Sequence, residues 1–492
     1  MADKEKRSSS FLGQFAVLRG AARELWIIFG AKLLAILAYG VMNSTLVLWL
    51  SSDLGYSDSR AGYVVATWST LMTLFTVLVG SLVDAIGLRK ALLLGFGVCV
   101  LSRGFMTFAT VPWAALACGL FPLALGEAFM TPVMVAAVRR YTTTAQRSIS
   151  FSIFYAMMNA GFGIASFIFD SLREALGEYG RLSLPFLGAE LSTYRTLFLA
   201  SFFLTIPNLL LVYFFLRGGV EATDSGLRVT PEQPKYPGEH LARALALTVR
   251  DALRDTARIF AGLWRQPAFY KFLGFLSLVV AVRLIFYHMY YTYPKFGIRE
   301  LGEGAPIGRL WAINSILIVI LVPIVGALTQ RIAAYKMVVF GSLVSGLSVF
   351  LMALPPAWFQ PLAEGLPGHW IGHVWLGLKG PVHPYYVAIF LYVTILSVGE
   401  AFWSPRLYEY TAAIAPKGQE ASYMSLSYLP FFVAKFFVGM VSGPLLEAYC
   451  PAAGPRAPQT LWLIIALTTI ITPLGLIVFR RFIRVQEAGR PN

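Results

Sequence analysis

Residues 126–132 read Gly-Glu-Ala-Phe-Met-Thr-Pro, and residues 399–405 read Gly-Glu-Ala-Phe-Trp-Ser-Pro. The copies stand 273 residues apart, and the same offset relates Gln146 to Gln419, Ser152 to Ser425 and Tyr155 to Tyr428. Each copy lies in a long apolar run and places one glutamate in its middle. Such a duplication predicts two homologous halves packed around a central site. A carboxylate within a run of this kind is costly unless it is used or paired. Glu127 and Glu400 are therefore the first candidate site residues.

The 492 residues are 57% hydrophobic and only 13% charged, with a mean hydropathy of +0.67. That composition belongs to a polytopic membrane protein rather than a soluble domain. A span needs about 20 apolar residues. Twelve segments qualify: 26–50, 61–84, 90–110, 112–138, 149–171, 193–216, 268–293, 309–330, 335–354, 386–413, 421–446 and 459–482. The expected fold is an all-α polytopic membrane protein with 12 transmembrane helices in two six-helix halves, 26–216 and 268–482. A cytoplasmic segment, 1–25, precedes them, a cytoplasmic linker, 217–267, joins them, and a short tail, 483–492, follows. The duplication then equates span four with ten and span five with eleven.

The net charge of +15 is an orientation signal. With the N-terminus taken as cytoplasmic, about 25 of the 40 Lys and Arg fall in cytoplasmic segments and about 9 in outside ones. Both termini are therefore expected in the cytoplasm of a cell membrane, and no nucleic-acid partner is implied. The basic start contains no cleavable leader, so span one should be retained. Cys99, Cys118 and Cys450 are too scattered for a disulfide framework or a metal site. No phosphate loop or catalytic triad is legible, so neither an enzyme nor a cofactor is expected. In the linker, 218–237 is polar and turn-rich, and 240–264 has the pattern of an amphipathic helix. Such a helix could lie on the membrane surface or pack on the bundle.

After span two comes Gly80-Ser-Leu-Val-Asp84-Ala-Ile-Gly87-Leu-Arg89-Lys90. It resembles the loop signature of the major facilitator superfamily, Gly-x-x-x-Asp-Arg-x-Gly-Arg-Arg, with Ala85 and Leu88 in place of two arginines. The resemblance implies the superfamily's twelve-span fold and makes Gly80, Asp84, Gly87 and Arg89 a conformational latch. Within that superfamily, Phe154-Tyr155-Ala-Met-Met-Asn159-Ala-Gly161 is similar to the span-five pattern of the proton-dependent oligopeptide transporters. The run Gly399-Glu400, Ser404-Pro405, Ala415-Pro416-Lys417 and Met424-Ser425-Leu426 resembles their spans ten to eleven. This likeness implies that Glu400 receives a peptide's amino end and that Asn159 lines the site. The family's span-one signature, Glu-x-x-Glu-Arg-Phe-x-Tyr-Tyr-Gly, survives only as Tyr39-Gly40. Residues 31–36 read Ala-Lys-Leu-Leu-Ala-Ile, and Thr131 replaces the family's span-four lysine.

In the superfamily fold, spans one, four, seven and ten line the central cavity. Here they carry Lys32, Glu127, Arg283 with His288, and Glu400. Arg283 is the expected partner of an anionic group, while Lys32 could either serve the site or snorkel. Glu400, Glu127 and His288 are the candidates for a coupling proton. Tyr287 and Tyr290 share the Arg283 face, and Tyr155 shares a face with Asn159. Tyr291 and Tyr293 suit an aromatic belt at the membrane boundary. Arg103, in span three, suits a structural ion pair. The reading is a monomeric secondary transporter of a small polar or zwitterionic solute, peptide-like as first choice. Its rivals are an exporter or uniporter for a drug, sugar or lipid, and a non-transporting sensor or scaffold on the same fold.

Overall fold

A computed structural model describes residues 15–230, 236, 238–329, 332–414 and 429–483. Gln419, Ser425 and Tyr428 of the second copy, and the run 415–426, lie outside the described residues. The chain is helical almost throughout, as an apolar backbone must be where no water can satisfy its amides. Span one is Arg23–Ser52, two Asp58–Ile86, three Leu88–Phe108, four Phe121–Arg140, five Thr144–Leu176 and six Thr193–Phe215. Span seven is Pro267–Tyr291, eight Ile307–Leu328, nine Ala334–Val349, ten Pro384–Ile414 and eleven Leu429–Tyr449. Span twelve is Pro458–Thr469 continued by Ile471–Val478. Among the described residues ten helices are long and apolar enough to cross a membrane. Spans two and eleven complete the expected set. Spans seven, ten and twelve each start on a proline, whose missing N–H costs nothing in a first helical turn.

Two segments differ from the sequence expectation. The turn-rich linker carries a hairpin, Val220–Thr223 against Gly226–Val229, in which Gly226 takes a φ of +126°. A second hairpin, Arg181–Leu184 against Ala189–Ser192, joins spans five and six. Short polar strands like these carry too little apolar periodicity to stand out between long helices. The linker helix forms as Leu241–Leu263.

The chain divides into two compact units that do not follow the sequence halves. One comprises 1–41, 71–162 and 198–257, and the other 42–70, 163–197 and 258–492. In the first unit, spans three and four meet at two glycines. A Cβ on Gly126 would stand 2.7 Å from Cys99 Sγ and 3.1 Å from the Gly95 carbonyl oxygen. Span six is tied to span one by Ser201 Oγ donating to Ala38 O (2.8 Å) and Asn208 Nδ2 donating to Ala31 O (3.1 Å). The linker hairpin is also used here. Asp224 accepts from the backbone N and the hydroxyl of Thr144, each at 2.9 Å, and so caps span five.

In the second unit, spans nine and ten repeat the glycine contact. A Cβ on Gly399 would stand 2.6 Å from Ser345 N and 2.7 Å from Gly341 O. The duplicated glycine is thus a point of close helix approach in both copies. Two further close contacts join spans of the first repeat to spans of the second. A Cβ on Gly62 of span two would meet Gly439 O of span eleven at 2.5 Å, and one on Gly308 of span eight would meet Ser166 O of span five at 2.5 Å. Both contacts lie toward the membrane face opposite the termini, called here the far face.

Charged clusters reinforce them. Asp58 bridges Lys295 (2.7 Å) and Arg299 (2.7 Å). Glu447 accepts from the backbone N and hydroxyl of Ser59. Asp170 caps span eight through the N–H groups of Gly308 (3.0 Å) and Arg309 (2.6 Å). Arg173 holds Asp170 and Glu178, and Glu178 also accepts from Tyr194 Oη (2.6 Å) and Gly304 N (3.1 Å).

Candidate functional site

The sequence-predicted residues fall into one group in each unit. In the first unit, Glu127 accepts from Arg103 Nη2 at 2.5 Å, and Arg103 also donates to Thr205. The Cys99 thiol lies 3.9 Å from the same glutamate. Arg103 is thus half of the structural pair that its place in span three suggested. Lys32 does not reach toward a membrane boundary. It is 1% exposed, its Nζ lies 4.7 Å from the ring centroid of Phe154, and it is within electrostatic reach of Glu127. Asn159 is buried one helical turn beyond Tyr155, and its Nδ2 donates to the Tyr155 carbonyl at 3.0 Å. The half-buried Tyr39 ring meets Phe162 edge-on at 6.2 Å. Span five approaches span one closely, since a Cβ on Gly161 would stand 3.1 Å from Leu33 O.

The charge balance of this group is uneven. Arg103 and Lys32 bring two cations, and Glu127 one anion. Each unpaired cation at this depth costs about 3 kcal/mol on insertion scales. The Phe154 ring offsets part of the Lys32 cost, about 0.5–2 kcal/mol. Among the described residues no ion pair or hydrogen bond reaches Lys32 Nζ.

In the second unit Arg283 and Glu400 bring one charge of each sign, and Lys435 adds a second cation. Arg283 lies over the Trp403 ring at 4.4 Å from its centroid, within electrostatic reach of Glu400. Glu400 accepts from Asn314 Nδ2 at 2.8 Å, and the same amide nitrogen lies 3.0 Å from Ser397 Oγ. Phe286 and Tyr290 close the aromatic side around Trp403 and Trp311. Tyr287 stacks on Tyr291 at 6.2 Å and has Lys435 Nζ over its other reach at 5.7 Å. His288 is buried and bonded to Thr292 Oγ1 at 2.8 Å. Tyr291 and Tyr293 are each 2% exposed, so they form no boundary belt. Tyr293 Oη instead donates to Ile307 O at 3.1 Å.

Asn314, Trp403 and Lys435 are the residues that the sequence expectations miss. A lone asparagine in the apolar run Trp-Ala-Ile-Asn-Ser-Ile (311–316) is the signal that could have found the first. Trp403 stands inside the duplicated phrase itself. Of the expected latch, Gly87 has a φ of +85° between spans two and three, and Arg89 Nη2 donates to Tyr213 O at 2.7 Å. Gly80 and Asp84 stand in the last turns of span two, and their surroundings lie outside the described ones.

Solved structures share this fold. A POT family transporter in complex with 5-aminolevulinic acid superposes with a TM-score of 0.69 at 15% identity, covering 94% of this chain and 97% of that one. A peptide transporter POT in complex with sulfate gives 0.67 at 16% identity, with 99% and 100% covered. A mutant peptide transporter POT in complex with alafosfalin gives 0.68 at 16% identity, with 98% of each chain covered. Among curated proteins none matches the sequence. The sequence profile of the Major Facilitator Superfamily matches residues 28–380, most of the chain, and with twelve spans in two repeats, the chain belongs to that superfamily.

Proposed function

We propose that the protein is a secondary active transporter that moves a small zwitterionic, peptide-like solute by alternating access. The observation that carries this reading is Lys32. A lysine 1% exposed in span one, beside a glutamate bonded to Arg103, supplies the buried positive charge that a carboxylate needs. Lys32 receives the solute's carboxylate. Glu400, held by Asn314, receives its ammonium group, and Trp403, Tyr287, Tyr155, Tyr39 and Asn159 supply apolar and hydrogen-bonding surface. The bound ligands of the similar structures, 5-aminolevulinic acid and alafosfalin, support a small polar solute.

Coupling to protons acts through the carboxylates. A proton on Glu400 removes its hold on Arg283, which leaves the guanidinium to the Trp403 face and biases one conformer over the other. The far-face clusters at Asp58, Asp170 and Glu178 hold one state, and the opposite state requires them to part. The cell membrane, with both termini in the cytoplasm, is the location that the loop charges favour.

The test is uptake of labelled dipeptides into proteoliposomes under an inward proton gradient, wild type beside Glu400→Gln. The account expects gradient-driven uptake that the variant loses. The absent span-one Glu-x-x-Glu-Arg favours a second reading, export or uniport of another solute class. No dipeptide uptake by a folded, reconstituted protein would select it.

A further inference from the structure

Between spans nine and ten lies a segment that the expected spans exclude. It consists of Pro356–Phe359, Gln360–Glu364, Leu366–His369 and the π-helical turn Trp370–Trp375. Two faces are plain. Phe359, Ala363 and Ile371 are buried. Trp358, Leu362, Leu366, Trp370 and Val374, every fourth residue, are 68%, 40%, 86%, 50% and 64% exposed. An α-helix would rotate such a series steadily off one face. The series crosses a bend at Gly365 and a π turn, whose more than 3.6 residues per turn counter that drift.

The segment is clamped to the spans at Trp370 and Trp375. Trp370 meets Phe390 of span ten at 5.9 Å, and Trp375 meets Phe167 of span five at 5.9 Å. Trp375 Nε1 donates to Arg309 O at 3.2 Å, and Arg309 Nη1 donates to Leu376 O at 3.1 Å. The stripe is therefore a fixed surface, displayed at the far-face ends of spans nine and ten. Phe167, which Trp375 touches, is itself part-exposed, and Ile164 of span five and Leu347 of span nine are exposed apolar residues of the spans. Such residues are where a superfamily member meets lipid.

We propose that residues 356–375 form an interfacial anchor whose Trp358–Val374 stripe sits in the headgroup–acyl boundary of the far-face leaflet. Two tryptophans on one stripe suit that depth, where an indole has apolar and polar surroundings at once. An apolar helical face there sinks about 5–10 Å into the boundary. The polar residues beside it, Gln360, Glu364, His369 and His373, stay on the water side. The anchor tethers the far end of span ten, which carries Glu400, to the membrane plane.

The experiment is spin labelling in proteoliposomes. A single cysteine is placed at 366, at 374 or at the control position 364, with Cys99, Cys118 and Cys450 replaced. Each label's relaxation by oxygen, which concentrates in lipid, is compared with that by a water-soluble nickel chelate. The proposal expects oxygen to dominate at 366 and 374, and the chelate to dominate at 364. Chelate dominance at 366 and 374 would overturn it. So would shielding of both labels from both agents, which would mean that protein covers the stripe. Position 374 keeps the test open if the variant at 366 does not reconstitute.

Discussion

At the residue scale, the duplicated glycine and glutamate do different work. Gly126 and Gly399 let neighbouring helices touch, and a methyl group at either has nowhere to go. At Gly399 the backbone of Ser345 and Gly341 stands at 2.6 and 2.7 Å beside the Ser345 hydroxyl, while at Gly126 the backbone of Cys99 and Gly95 stands farther off, at 3.1 Å, and the Cys99 thiol is the nearest atom. Gly399→Ala should therefore cost more than Gly126→Ala, with both in the range of about 1–3 kcal/mol for overpacking. Thermal unfolding in detergent measures the order. The glutamates hold buried cations and an amide. Glu127→Gln leaves Arg103 without its carboxylate and should cost about 3–5 kcal/mol. Lys32→Met should leave stability equal or higher, because an apolar chain replaces a buried ammonium. It should nonetheless abolish transport of carboxylate-bearing solutes. A Lys32→Met protein that unfolds early would show that the lysine is structural.

The two glutamates and Lys32 were legible because a charge in an apolar run stands out. Their partners Arg103 and Asn314 were harder to assign. A span's rotation about its axis decides which neighbour a side chain meets, and an apolar stretch with little polar periodicity does not encode that rotation.

At the element scale, most of the long apolar helices could be placed to within about five residues from length and hydropathy alone; in span four the regular α-helix starts at Phe121 after a π turn, and the expected start of span eleven lies outside the described residues. The hairpins and the segment 356–375 could not, since short elements carry weak periodicity. The loop between spans five and six carries a titratable contact. Burial alone would raise the Glu178 carboxyl, but the Arg173 guanidinium, the Tyr194 hydroxyl and the Gly304 amide hold it below the ordinary glutamate range. A depressed carboxyl contributes stability that is present above its unfolded value, about 4.3, and lost as pH falls through the lower folded one. The Glu178 contact should hold from pH 5 to 8 and fail only in stronger acid. Thermal stability measured against pH should drop on the acid side in the wild type and drop less in Glu178→Gln. A loss of the Glu178 contribution at neutral pH would contradict this.

At the scale of the whole molecule, the repeat accounts for much of the chain. The same glycine contact joins spans three and four and spans nine and ten. Spans two and eleven meet as spans five and eight do, through a glycine on one helix and backbone on the other. In the proposed cycle these far-face contacts hold one state and part in the other. Asp58→Asn removes the carboxylate shared by Lys295 and Arg299. It should shift the population toward the state with the far face open. Cysteine labelling from that side, at residues lining the span two–eleven contact, should speed up. Unchanged labelling would remove Asp58 from the latch.

The central claim is that Lys32 takes the anionic end of the solute and Glu400 the cationic end. Competition in proteoliposomes tests it most directly. Uptake of a labelled dipeptide is challenged with the free dipeptide, its N-acetyl form and its C-terminal amide, in wild type, Lys32→Gln and Glu400→Gln. The account predicts that wild type prefers the free zwitterion, that Lys32→Gln no longer distinguishes it from the amide, and that Glu400→Gln no longer distinguishes it from the N-acetyl form. Wild type that ignores all three compounds, or variants that keep both preferences, would contradict it.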